Sequence, residues 1–321
     1  MIRTSHYLFA ALCLGSLFAC SRQFTDSYIV PKWCFAVFML FIVLAYEAVN
    51  ILFYRQNEQK DTRISVYGFI IVISCFLQAM FGVVQFFGFF QISTTLWVTG
   101  SFDNPAGFAA CLCAGFPFVG FLLSDSNKYI RYVGGLIGFV IVIAVILSQS
   151  RAGIMSIAFI CFILLNMKFF HKRWVKYLSL LCFALLLSGC YWMKKDSADG
   201  RLLIWRCSVS MVKDAPWLGH GIGSFEARYM DYQADYFRQY GLNRYSMLAD
   251  NVKHPFNEYL GVLLNFGFVG LLMILALITL LIYCYKKHPC AEKRIAFYSL
   301  ISIGVFSFFS YTFTYPFTWI V

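Results

Sequence analysis

The sequence predicts an all-α fold: a polytopic transmembrane helix bundle of about nine spans with one large polar loop that contains short helices. Three observations predict it. Of 321 residues, 60% are hydrophobic and 13% are charged, against about 45–50% and about 25% in soluble domains. Apolar runs recur at lengths suited to a bilayer, which takes about 20 residues per span. Basic residues are distributed unevenly between alternate connecting segments. The formal charge of +11 is therefore first a topology signal, and nucleic acid is not an expected partner.

The first apolar run, 7–20, is short for a span. Its end, Leu17-Phe18-Ala19-Cys20, has the outline of a lipoprotein cleavage site, but Phe18 fits that pattern poorly and a polytopic chain follows. The expectation is a first membrane helix, with a cleaved signal as the alternative. Further runs occupy about 33–54, 64–90, 105–123, 132–148, 152–170, 177–193, 258–285 and 295–313. Only Ser148-Gln149-Ser150-Arg151-Ala152-Gly153 separates 132–148 from 152–170. Without a turn there, the two would form one helix too long for a bilayer. Three regions follow: 1–193 as an N-terminal bundle of about seven helices, 194–257 as the large loop, and 258–321 as C-terminal membrane helices. The last stretch, from Tyr311 to Val321, is either an aromatic interfacial anchor or a helix cut short.

Charge sets the orientation. With the N-terminus inside, the inner segments hold Arg3; Arg55, Lys60 and Arg63; Lys128 and Arg131; Lys168, Lys172, Arg173 and Lys176; Lys286, Lys287, Lys293 and Arg294. The short outer segments hold only Arg22, Lys32 and Arg151. The remaining basic residues lie in 194–257, a loop long enough to be largely exempt from the rule. That loop is then outside, which in a bacterium is periplasmic, together with 91–104 and the Arg151 turn.

The twelve cysteines form neither a disulfide framework nor a metal pattern. Cys111-Leu112-Cys113 lies in an apolar helix without His or acidic partners, so no metal is expected. Chemistry-bearing residues concentrate in 194–257. Arg151, at a membrane boundary, suits a phosphate ligand or a snorkelling interfacial residue. Gly200-Arg201 begins a predicted helix running to about Lys213, with Leu202, Trp205, Val209 and Val212 on one apolar stripe. Arg201 is then an anion ligand at a helix N-terminus or a solvated loop arginine. Gly219-His220-Gly221-Ile222-Gly223 is a flexible turn or a phosphate cradle. Phe225, Tyr229, Tyr232, Tyr236 and Tyr240 fall at helical spacing, as an interfacial belt or as a surface for sugar or lipid. His254 is a general base or a polar group at a helix entry, where Asn257 and Glu258 are capping groups. Asn104-Pro105 is ordinary helix-start chemistry.

Taken in order, these segments resemble the bacterial O-antigen ligase and polymerase family of integral membrane glycosyltransferases, over about residues 100–275. Gly100-Ser101-Phe102-Asp103-Asn104-Pro105 is similar to the family's Gly-x-Phe-x-Asn-Pro segment, and Ser150-Arg151-Ala152-Gly153 to its Ser-Arg-small-Gly turn. Arg201 to Trp205 and Pro216 to Gly221 resemble its Arg-x-x-x-Trp and Pro-x-x-Gly-x-Gly block. His254-Pro255-Phe256-Asn257-Glu258-Tyr259-Leu260, then Gly267 to Gly270, resembles its closing motif. The resemblance implies transfer of a glycan from an undecaprenyl-diphosphate carrier to an acceptor without metal or other cofactor. Lipid A-core is the favoured acceptor; chain polymerisation and protein O-glycosylation share the same motifs. It implies a bacterial inner-membrane location, membrane lipids as partners, Arg151 and Arg201 as diphosphate ligands, and His254 as the acceptor-activating residue. Asn104, Trp205 and Asn257 are implied as supporting residues. The sequence departs from the pattern at Phe256, where the family often has a second His before the Asn. Either His254 acts from two residues away, His220 substitutes, or activity is altered or lost. Family members also carry more spans than these, so further spans beyond Val321 are expected. The rival readings are a transporter of lipid-linked sugars, disfavoured by the lack of an internal repeat, and a non-catalytic relative.

Overall fold

The computed structural model describes residues 4–53, 61–89, 98–168, 173–193, 195–287 and 289–321. Arg3, Arg55, Lys60, Lys172, Lys194 and the 91–97 part of the outer loop lie outside them, as do the side chains of Arg63 and Lys168. The described residues are helical with no strand among them. Within the described residues, each apolar run of the sequence falls largely on helix. Among the described residues, six segments are long and apolar enough to cross a membrane: Ile29–Asn50, Val66–Phe86, Pro105–Leu123, Lys128–Leu147, Arg173–Trp192 and Glu258–Lys287. Thr4–Phe18 and Arg151–Met167 are shorter apolar helices. Ala291–Phe309 opens on Glu292, Lys293 and Arg294, charges that thin its apolar length.

The chain forms two compact units. The first comprises Met1–Cys161, Cys290–Phe306 and Thr312–Val321. It contains α1 (Thr4–Phe18), α2 (Ile29–Phe53), α3 (Asp61–Phe86), α4 (Pro105–Gly115), α5 (Val119–Leu123) and α6 (Lys128–Leu147). The first part of α7 (Arg151–Lys168) also belongs to it. Small polar side chains stitch its core, as expected where lipid gives helices no hydrophobic reason to associate. Ser302 Oγ donates to Cys113 O (2.7 Å), Ser299 Oγ to Ala114 O (2.6 Å) and Ser156 Oγ to Ser302 O (2.7 Å). Lys32, counted from sequence among the basic residues of the short outer segments, is fully buried. Its ammonium donates to Ala19 O (2.9 Å) and Ser101 O (2.8 Å) and sits 4.9 Å from the Phe102 ring centroid. It thereby ties the end of α1 to the segment that enters α4. Leu12, Cys13 and Leu17 of α1 are buried, so α1 packs within this unit. The aromatic C-terminal stretch is packed in part, with Trp319 left exposed. Tyr315 and Phe317 are fully buried, and Trp33 Nε1 donates to Thr314 O at 2.7 Å.

The second unit comprises Phe162–Pro289 and Ser307–Tyr311. It contains α8 (Arg173–Met193), α9 (Lys195–Asp214), α10 (Ser224–Tyr240) and α11 (Glu258–Lys287). It also takes the end of α12 (Ala291–Phe309). The polar loop is thus two helices of 20 and 17 residues, longer than the short helices expected. Their core joins Leu203, Ile204, Cys207 and Met211 of α9 to Phe225 and Tyr229 of α10, with Tyr245 and Leu264. The stripe expected on α9 is displaced. Leu202 and Val209 are exposed and the buried line runs through 203, 204, 207 and 211. Both faces of that helix carry apolar residues, so periodicity alone did not decide which one meets α10.

Helix α11 is broken at Gly267 (φ 63, ψ −159). A break frees carbonyls before it and N–H groups after it. The segment after α9 satisfies both sets. His220 N–H donates to Leu264 O (2.7 Å) and Gly221 N–H to Asn265 O (3.1 Å). Phe268 N–H donates to Pro216 O (2.8 Å) and Val269 N–H to Trp217 O (3.2 Å). The two backbones approach so closely that a side chain is excluded on both. A Cβ at Gly219 would lie 2.6 Å from Asn265 C, and one at Gly267 would run into the Trp217 carbonyl.

Candidate functional site

The second unit gathers four of the residues singled out from sequence around the short loop 254–257. Asn257 Oδ1 accepts from Leu260 N–H at 3.0 Å, which caps α11 and fixes where the loop ends. Trp205, one turn after Arg201 on α9, donates Nε1–H to Pro255 O at 2.9 Å. Its ring meets Phe308 edge-on, centroids 6.1 Å apart. Trp205 and Asn257 therefore hold the loop from both sides.

His254 lies with its ring face on Tyr311, centroids 4.5 Å apart and planes inclined by 19°. Among the described residues neither ring nitrogen of His254 has a hydrogen-bond partner. Burial pushes its pKa below the usual 6.5, and Lys253 adds to this; Glu226 opposes it. The ring is thus neutral near pH 7 and able to accept a proton.

Phe256 holds φ at 51°, a left-handed backbone that is an outlier for a bulky residue. The conformation places its ring between two groups of the site. Arg201 Cζ sits 5.0 Å from the Phe256 centroid, and Tyr311 meets Phe256 edge-on at 5.5 Å. Arg201 also donates to Phe309 O at 2.6 Å. Arg201, Phe256, Tyr311 and His254 thus form a continuous line of contacts: a fixed cation at one end, a neutral base at the other. Tyr311, Phe308 and Phe309 were not singled out from sequence. The available signal was one tyrosine hydroxyl closing the apolar run 295–313.

The helix N-terminus expected at Arg201 is not there. Helix α9 starts at Lys195, so Arg201 lies past its first turn and the N-terminal amides do not assist it. The helix passes through Gly200 because packing in this unit outweighs the weak propensity cost of one glycine.

His220 is already engaged. Arg228 donates to Nδ1 (3.0 Å), so Nε2 carries the proton and donates to Met211 O (2.8 Å). The Gly219–Gly223 turn has three of its amides bonded to the chain's own carbonyls. Its amides at 219, 220 and 221 donate to Ala215 O, Leu264 O and Asn265 O. The tyrosine stripe is neither an interfacial belt nor a sugar surface through most of its length. Phe225 and Tyr229 are buried and stacked at 4.9 Å, Tyr232 and Tyr236 pack on the same core, and Tyr240 is exposed.

In the first unit, Arg151 opens α7 after a turn in which Gln149 takes φ 53. Ser150 Oγ accepts from Gly153 N–H at 3.3 Å, so the chain does break between the two apolar runs, as the six-residue punctuation predicted. Asn104 caps α4. Its Oδ1 accepts from Gly107 N–H (3.0 Å) and Tyr315 O–H (3.2 Å). Asp103 Oδ2 accepts from Asn104 Nδ2 (3.1 Å), while Asp103 Oδ1 is buried without a partner among the described residues. Burial pushes that carboxyl above its usual range. Among the described residues no cluster of His, Cys, Asp or Glu is arranged to hold a metal.

Residues 136–275 match the family described as O-antigen ligase. The match spans Arg151, Arg201, Trp205, His220, His254 and Asn257, and leaves out Asn104 and Tyr311. No curated protein and no solved structure matches the chain.

Proposed function

We propose, with the O-antigen ligase match over residues 136–275 as the premise, that the chain is a metal-independent glycosyltransferase of the bacterial inner membrane. It moves a glycan from an undecaprenyl-diphosphate carrier to an acceptor hydroxyl on the periplasmic face, where the loop 194–257 lies, in a bundle of about nine spans. Lipid A-core is the proposed acceptor; a growing polysaccharide and a protein hydroxyl are the alternatives.

The observation that carries this reading is the line from Arg201 through Phe256 and Tyr311 to His254. The acceptor oxygen attacks the anomeric carbon as a ring nitrogen of His254 takes its proton. The glycosyl–oxygen bond to the diphosphate breaks, and its electron pair leaves with the diphosphate. The positive charge of Arg201 offsets the negative charge that develops there. Trp205 and Asn257 keep the His254 loop in register with Arg201. The sequence resemblance gives Arg151 the same diphosphate role, and it is tested on its own by Arg151→Ala.

The test uses membranes carrying the full chain, purified undecaprenyl-diphosphate glycan, and lipopolysaccharide core as acceptor. Transfer that persists in EDTA and is lost in Arg201→Ala and His254→Ala supports the reading. Absence of transfer to core, polysaccharide or protein, with the chain inserted and folded, overturns it in favour of a non-catalytic relative. Movement of intact donor across the bilayer without bond cleavage would point to a transporter.

A further inference from the structure

We propose that the loop 216–223 is a membrane wedge: Trp217, Leu218 and Ile222 enter the acyl-chain boundary of the bilayer beside α11. The proposal concerns how the second unit seats in lipid and does not depend on the transfer chemistry.

Two independent observations carry it. The first is height. Helix α11 has 30 residues, about 45 Å at 1.5 Å per residue and well beyond a hydrocarbon core of about 30 Å. Its break at Gly267 leaves a continuous piece to Lys286, about 30 Å long. That piece ends in Lys286 and Lys287 and exposes Phe268, Val269, Leu272 and Met273 along its side. Counting from the lysines, the edge of the hydrocarbon falls at Gly267. Four backbone hydrogen bonds splice 216–221 to Leu264–Val269 at that level. The wedge is therefore held at the edge of the hydrocarbon.

The second is chemistry. Trp217 is 69% exposed, Leu218 75% and Ile222 83%. Water exposure of three large apolar side chains on one short loop is costly. The loop has no charged residue, and its only titratable side chain, His220, turns inward to Met211 O and Arg228. Trp217 meets Phe268 edge-on at 6.1 Å, which joins the loop tip to the apolar side of α11. Trp at such a boundary presents an apolar ring to lipid and an N–H to the headgroups.

Photo-crosslinking tests this. Benzoylphenylalanine is placed singly at Trp217, Leu218 or Ile222 in the full chain. Each variant is reconstituted in vesicles of one phosphatidylcholine with tagged acyl chains and no polyprenyl lipid. The same probe at Leu272 on α11 is the positive control. At Asp235, whose carboxylate pairs with Arg238 in solvent, it is the negative control. Tagged lipid on 217, 218 and 222, at yields comparable to 272 and absent at 235, is the expected result. Lipid on 272 but not on the loop overturns the proposal, as does a crosslink from the loop to a second copy of the chain. Each variant's elution as a single species in detergent excludes misfolding as the cause of a negative result.

Discussion

His254 presents one ring face to Tyr311 and is largely buried, and the pH dependence of transfer follows from that burial. The folded pKa lies below 6.5, so the basic form is present above that value. Transfer is expected to be level above pH 6.5 and to fall at lower pH as the ring protonates. His254→Gln should lose both the activity and the acidic limb. The same depression means that the folded state loses stability as the pH falls from 6.5 through the folded value. Arg201→Ala is expected to slow transfer by about 10²–10³-fold, the scale for removing one charge-stabilising group. A steady-state comparison should show the loss in kcat as well as in kcat/KM. Phe256→Ala removes the ring between Arg201 and Tyr311 and should lower both transfer and the apparent melting temperature. Phe256→His keeps a ring there and should retain transfer, which places the departure from the family pattern at a packing position between the cation and the base.

The splice between the glycine turn and the broken helix makes a prediction at the level of elements. Gly267→Ala meets a positive φ and the Trp217 carbonyl together, and should destabilise the second unit by more than about 1 kcal/mol. Gly219→Ala should do the same from the other strand of the splice, and the double variant should cost less than the sum because one contact is broken twice. Thermal unfolding in detergent measures both. In the first unit, Lys32→Met leaves the buried Ser101 carbonyl and the half-buried Ala19 carbonyl without their charged donor; a loss of about 2–3 kcal/mol is expected. Glycine spacing was visible in the sequence, but its meaning was not. A Gly-x-Gly turn is compatible with a phosphate cradle until the partner backbone, some 45 residues away in the chain, is seen to occupy its amides. The same holds for the tyrosines of α10. Their spacing identified a helix face, and only the presence of α9 against it showed that the face is core.

At the scale of the molecule, orientation is the open prediction. An epitope inserted after Gly241 is expected to be reached from outside intact spheroplasts. One inserted after Ser126 should be reached only after permeabilisation. The reverse pattern would place the loop on the cytoplasmic side. Apolar runs and their bounds were legible because a span needs length and hydropathy, and both are local properties of the chain. The turn before Arg151 was legible for the same reason, since no single helix of that length fits a bilayer. The residues Arg201, Trp205, His254 and Asn257 were legible through a family-like order of motifs. Their geometry was not, because contacts between residues 50 or 100 positions apart leave no periodic trace. The sequence by itself determined a helical chain rich in apolar runs and the segment that carries the proposed site. Tertiary structure alone decided that Tyr311 and Phe309 complete the line from His254 to Arg201. It also decided that the backbone amides of His220 and Gly221 serve the broken helix. The physical reason is that buried hydrogen-bonding groups must find partners, and which partner each finds depends on where distant segments are packed.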